Sequence, residues 1–191
     1  MAAPDTSLVH MFGHRETLSL DARLRFRLPD DLAAAIHQEM GRVSGHSDVP
    51  PAALKRISFY LVPGTAGRIF LYPASNISLA ISRFEQAPRG SSPALVRQAR
   101  DYFYSMMAFI EADRQNRLQI PEHLGEHAGL GNGERRIVLV CHNLWISICK
   151  ASAAEQMDAS GREALEAVGP DVLDPVSNNE QPSAHDDAPA Q

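Results

Sequence analysis

The chain has very little cysteine: two residues in 191, Cys141 and Cys149, both in an apolar, strand-like stretch. That number excludes a disulfide framework, and their surroundings lack metal-ligand spacing, so two buried, unbridged thiols are expected. Long apolar runs are also missing, with nothing near the roughly 18 residues that a membrane span needs. Met1 to His10 has neither the basic start nor the apolar stretch of a secretory signal, so the expected location is the cytoplasm. Histidines are present, but without the order that metal chemistry uses. His123 and His127 lie four apart beside Glu122 and Glu126, and His10 and His14 repeat the spacing. No HExxH order, third ligand or activated nucleophile accompanies either pair. They read as solvated surface histidines, and no catalytic residue, metal, cofactor or small-molecule substrate is expected.

Basic charge is scarce overall, yet unevenly so. Residues 1–150 hold 17 Lys and Arg against 14 Asp and Glu, a balance of +3, while residues 151–191 hold one Arg against nine acidic residues, a balance of −8. The acidity therefore belongs to the C-terminal segment. From Gly169 onward Pro, Ser, Asn, Asp and Ala dominate, and large apolar residues nearly vanish after Val176. Ordering such a segment costs roughly 1–2 kcal/mol per residue in backbone entropy, with little apolar burial to offset it. Residues 158–191 are expected to form a disordered tail, read as solubilising in preference to an autoinhibitory segment that competes with an anionic ligand for basic turns.

What the chain does have is a repeat. Asp21-Ala22-Arg23-Leu24-Arg25-Phe26-Arg27-Leu28-Pro29 aligns without a gap on Asp113-Arg114-Gln115-Asn116-Arg117-Leu118-Gln119-Ile120-Pro121, 92 positions later. In both copies an aspartate precedes an arginine by four residues, and an apolar, polar, apolar alternation runs to a proline. Each reads as a turn feeding a short strand. A fixed self-similarity governs architecture, and two copies point to a pseudo-symmetric pair.

The flanking segments follow the same order twice. Thr17 to Leu20 alternates like a strand; after the first turn comes a strand from Arg25 to Leu28, then a helix started by Pro29, Asp30 and Asp31 and running from Leu32 to Met40. Gly41 to Pro51 is a loop, and Ile57–Val62 and Arg68–Tyr72 are strands joined at Pro63-Gly64-Thr65-Ala66-Gly67. Asn76 to Gln86 is a short helix. In the second block, helix Ala94–Tyr104 and strand Ser105–Ala112 lead into the second turn. A helix Pro121–His127, a stop at Gly129–Gly133, and a hairpin of Arg136–Cys141 and Leu144–Cys149 bent at His142 and Asn143 complete it. Met106, Met107 and Phe109 read as core, and Trp145 as core or subunit contact. The expected class is α+β, built from two interlocked sheets.

The turn has a chemical reading. A carboxylate can accept the amides of its own turn together with the arginine four residues on, and so present guanidinium groups rigidly to phosphates or to guanine edges. Arg23, Arg25 and Arg27 alternate, so one face of an extended segment would carry a basic stripe. As isolated surface ion pairs, Asp21–Arg25 and Asp113–Arg117 would each contribute about 0–1 kcal/mol. Their recurrence before the same strand and proline is what favours a shared role.

On these residues the chain resembles a divergent MraZ protein, a bacterial transcription regulator of the SpoVT/AbrB type with two tandem repeats, each carrying a DxxxR signature. The likeness covers about residues 11–157. It is carried further by Leu71-Tyr72-Pro73, by Leu124 with Ala128-Gly129-Leu130, and by the Asn143–Cys149 segment. The resemblance implies two SpoVT/AbrB-like repeats, residues 11–93 and 94–157, forming a split β-barrel-like core with short flanking helices, after a flexible N-terminus at 1–10. It implies a homo-oligomeric ring, nucleoid-associated, that binds double-stranded DNA at short direct repeats in the promoter of the division and cell-wall gene cluster. Arg23, Arg25, Arg27, Arg114 and Arg117 would contact DNA, braced by Asp21 and Asp113.

One departure stands out. The family pattern places glycine just before the signature arginine, where this chain has Leu24 and Asn116. Asparagine tolerates a left-handed conformation and leucine resists it, so the first turn is expected to have changed shape or to have altered its DNA contacts. With a core charge of only +3, the alternative is a non-catalytic oligomeric assembly module that keeps the fold without specific DNA binding.

Overall fold

The computed structural model describes residues 14–43, 56–86, 92–130 and 134–168. The expected flexible N-terminus, most of the Gly41–Pro51 loop and the tail beyond residue 168 lie outside the described residues. Two units are distinguished, Met1–Ala154 and Glu155–Gln191.

The first unit is α+β. Among the described residues eight strands, β1 (Arg15–Ser19), β2 (Arg25–Arg27), β3 (Ser58–Pro63), β4 (Ile69–Pro73), β5 (Ala108–Glu111), β6 (Arg117–Gln119), β7 (Arg136–His142) and β8 (Trp145–Lys150), form two sheets. Six of them lie in the order β1-β7-β8-β4-β3-β5, and β2 pairs with β6 separately. Every pairing is antiparallel. Strands β1 and β5 end the larger sheet, so the described residues form no closed barrel. The order has a simple property: exchanging β1, β3 and β4 for β5, β7 and β8 reverses it onto itself.

Strand β3 (SFYLVP) and strand β4 (IFLYP) are made of aromatic and branched apolar residues with few polar breaks, the composition of a hairpin covered on both faces. Phe59, Leu61, Ile69 and Leu71 face the main core, which also takes Phe26, Leu28, Ile36, Leu118, Ile120, Leu124, Ile137, Ile146 and Ile148. The alternate residues Val62, Phe70 and Tyr72 face the other way, into a smaller cluster with Ala80, Phe84 and Phe103. The period of two thus sorts one hairpin between two cores. The hairpin turns through left-handed Ala66 (φ 55°) and Gly67 (φ 65°).

Helices α1 (Asp30–Val43), α2 (Ile77–Glu85), α3 (Pro93–Met106) and α4 (Glu122–His127) flank these sheets. Pro29 and Pro121 each stand immediately before a helix, their carbonyls accepting the amides of Ala33 and Gly125 at 2.9 Å. The helices are not uniformly short: α1 and α3 each have 14 residues, because alanine-rich and amphipathic segments extend past the expected ends. Helix α5 (Ala151–Val168) is longer still and continues beyond residue 158, where a tail is expected to begin. Its alanines and glutamates are strong helix formers, and that propensity outweighs the segment's acidity.

Two local expectations are corrected. Phe109 is 52% exposed, because β5 is an edge strand and its outer face has no covering layer among the described residues. His142 belongs to β7 and pairs with Trp145, so the bend falls at Asn143 and Leu144.

Candidate nucleic-acid interface

The two Asp-x-x-x-Arg segments adopt the same turn, bond for bond. Asp21 donates its amide to the Arg25 carbonyl at 2.9 Å, and Leu24 donates to the Asp21 carbonyl at 3.1 Å; the matching bonds from Asp113 and Asn116 are 2.9 and 3.0 Å. The Asp21 Oδ1 accepts the amides of Arg23 and Arg25 at 2.8 and 3.0 Å, as Asp113 Oδ1 accepts those of Gln115 and Arg117 at 2.8 and 2.9 Å. Asp21 Oδ2 then receives Arg25 Nε at 2.7 Å, and Asp113 Oδ2 receives Arg117 Nε at 2.7 Å. One carboxylate therefore satisfies two orphan amides and fixes one guanidinium.

These bonds favour the ionised carboxylate. Asp113 is pulled down to about 2, chiefly by the Arg117 amide, against some opposing desolvation. Asp21 shifts in the same direction, chiefly through the Arg25 amide.

Leu24 has not changed the first turn. Its φ of 56° equals that of Asn116, so a leucine occupies the left-handed position that an asparagine holds in the second copy. Such a conformation costs a non-glycine residue about 1–2 kcal/mol. Packing offsets the cost: the Leu24 side chain lies against the main core, over Gly125 of α4, where a β-carbon would meet Leu24 Cδ1 at 2.5 Å. The glycine accepts what the leucine needs to place. Sequence reading missed this partnership because the two residues lie far apart along the chain and neither is unusual alone.

The turns share one ribbon. Strand β2 pairs with β6 so that Arg25 faces Gln119, Phe26 faces Leu118 and Arg27 faces Arg117. Leu28 donates to the Asn116 carbonyl at 2.9 Å and Ile120 to the Leu24 carbonyl at 3.0 Å, extending the ribbon into each opposite turn. Phe26 and Leu118 are buried. By alternation, Arg25, Arg27, Arg117 and Gln119 share the outward face.

The five arginines expected to contact DNA consequently divide into two kinds. Arg25 and Arg117 are partly buried and braced, with 30% and 39% of their side chains exposed. Arg27 is exposed and pairs with Asp30 at 2.7 Å, a partner that sequence reading did not assign. Arg23 and Arg114 are exposed on the turns, without an ion-pair partner among the described residues. Arg23 stands in the turn ahead of β2, so it does not continue the Arg25–Arg27 stripe.

His10 lies outside the described residues, and among those described the histidines gather into no metal-holding group. His127 is partly buried rather than solvated: Nε2 bonds the Gly64 carbonyl at 2.9 Å and Nδ1 the Tyr102 hydroxyl at 2.8 Å. His123 Nε2 instead meets the Met106 carbonyl at 3.2 Å. Among the described residues no group of three His, Cys, Asp or Glu side chains could hold a metal ion, and no helix is long and apolar enough to cross a membrane. Cys141 and Cys149 are both buried and unbridged.

No protein-family model matches the chain, and no curated protein matches it.

Proposed function

We propose that the chain is a MraZ-like, DNA-binding transcriptional regulator made of two tandem SpoVT/AbrB-like repeats. In this reading it is non-catalytic, works in the cytoplasm at the nucleoid, and assembles as a homo-oligomer, in ring form, on short direct repeats in the promoter of the division and cell-wall gene cluster. The observation that carries the proposal is the matched pair of carboxylate-braced turns feeding one two-stranded ribbon, with Arg25, Arg27, Arg117 and Gln119 outward. The self-reversing strand order favours a duplicated unit.

A two-stranded ribbon is narrow enough for the major groove, where arginine can bond guanine at two points and glutamine can bond adenine at two points. Arg23 and Arg114, one on each turn, supply phosphate contacts. With few cations per subunit, affinity must come from several copies engaging repeated sites at high effective concentration.

A second reading, an assembly module without specific DNA recognition, is favoured by one observation: Arg25, Arg27 and Arg117 already hold aspartate partners. An anisotropy titration with the DNA upstream of the chain's own reading frame separates the two. Salt-sensitive binding that is lost in both Arg25→Ala and Arg117→Ala supports regulation. Equal binding by all three proteins rejects the assignment of these residues.

A further inference from the structure

The smaller core cluster is incompletely filled, and its gap opens beside a cation. A cavity of about 380 Å³ lies between the β3–β4 hairpin, α2 and α3, within the range of roughly 300–1,000 Å³ typical of small-molecule sites. Phe70, Tyr72, Phe84 and Phe103 supply aromatic walls. Phe84 and Phe103 stack with ring centroids 4.2 Å apart, which gives one wall a flat, stiff face. Arg83 lines the same cavity with its guanidinium carbon 4.7 Å from the Trp145 ring centre.

Among the described residues Arg83 has no carboxylate partner and no Asp or Glu lines the cavity. The aromatic ring orients the guanidinium without neutralising it. His127, the other basic residue on the lining, has both ring nitrogens engaged by Gly64 and Tyr102. The walls therefore ask for an apolar, preferably aromatic body, and Arg83 for an anionic head that can accept its N–H groups.

We propose that this cavity is a binding site for a small aromatic monocarboxylate, with the ring among Phe70, Phe84 and Phe103 and the carboxylate on Arg83. The site stands apart from the basic ribbon and does not depend on DNA binding. Its occupant is a free small molecule, since charge complementarity and an aromatic slot define it more closely than they define a peptide.

Trp145 is the sole tryptophan, stacks on the cavity residue Tyr72 with centroids 6.0 Å apart and touches Arg83, so its emission reports on occupancy. The test titrates the full chain with phenylbutyrate and with the neutral phenylbutyramide, following tryptophan emission and calorimetric heat. The acid should bind saturably and the amide about tenfold or more weakly, the loss expected for one charge-assisted contact. Arg83→Gln should remove that discrimination. Ala99→Trp, at an exposed lining position on α3, should abolish the calorimetric binding heat of both with an unchanged far-ultraviolet circular dichroism spectrum. Equal affinity for acid and amide, or unaltered discrimination in Arg83→Gln, overturns the proposal. So does a silent titration, including one in which the chain self-associates through this groove and Ala99→Trp disperses it.

Discussion

The Cδ1 atom of Leu24 fills the space that a β-carbon on Gly125 would need, 2.5 Å from where that carbon would stand. This contact explains how a leucine persists at φ 56°. The apolar contact it gains is comparable to the conformational cost, since complete burial of a leucine is worth about 1.5–3 kcal/mol and Leu24 is half-buried.

Gly125→Ala is accordingly expected to destabilise the chain despite alanine's higher helix propensity. Overpacking costs about 1–3 kcal/mol, against about 1 kcal/mol gained in the helix. In a Leu24→Ala background the steric term disappears, and the same substitution becomes neutral or stabilising. Urea melts of the four proteins give the cycle; additive effects would show that the two residues do not compete for space.

Acid stability should report the bracing of Asp113. Its folded value, about 2, lies below the ordinary 3.8, so its stabilisation is complete above the ordinary value and is lost as pH falls from about 4 through 2. Asp21 is depressed in the same sense and contributes a loss in the same direction. Thermal melts across that window should show a steeper fall in Tm for wild type than for Asp113→Asn. Parallel curves would mean that the turn does not hold the carboxylate.

The thiols should be inert until unfolding. Burial pushes Cys141 up to about 12, and Cys149 is 3% exposed, so neither sulfur is open to attack from solvent. Ellman's reagent should find no rapidly reacting thiol in the native chain and two in urea. A fast native reaction would contradict the packing of β7 against β8.

Much of this structure was legible in advance where periodicity was strong. The β3–β4 hairpin, helix α3 and both basic turns follow from apolar spacing, turn residues and the repeated Asp-x-x-x-Arg. Ends were harder, because helix α5 continues on alanine propensity through a stretch whose acidity reads as tail. Edge position was invisible: Phe109 looks like core by composition, yet on the edge strand it packs on one side against the Tyr60 ring and stays half open to solvent. Long-range complementarity also escaped, as with Leu24 and Gly125, or the facing of Arg27 by Arg117. That facing was implicit in the repeat, since antiparallel pairing of two equivalent strands about Phe26 and Leu118 sets Arg27 opposite Arg117. The aromatic cavity left no local signature, since its walls come from a hairpin and two helices.

The arginines should separate by function. Asp21→Asn and Asp113→Asn should lower Tm and weaken DNA binding together, because the carboxylate positions both backbone and guanidinium. Arg23→Ala and Arg114→Ala should leave Tm unchanged, as each side chain is exposed and unpaired among the described residues. A loss of stability in the latter pair would assign them a structural role.

The most direct measurement is the salt dependence of binding to the chain's own upstream DNA, compared between wild type and the double variant Arg23→Ala/Arg114→Ala. If the turns present these cations to phosphates, the slope of log K against log salt should become shallower by about 2 per subunit, with affinity reduced across all sequences. Wild type and variant binding with the same slope and affinity, or wild type showing no salt-sensitive binding, would contradict the central claim.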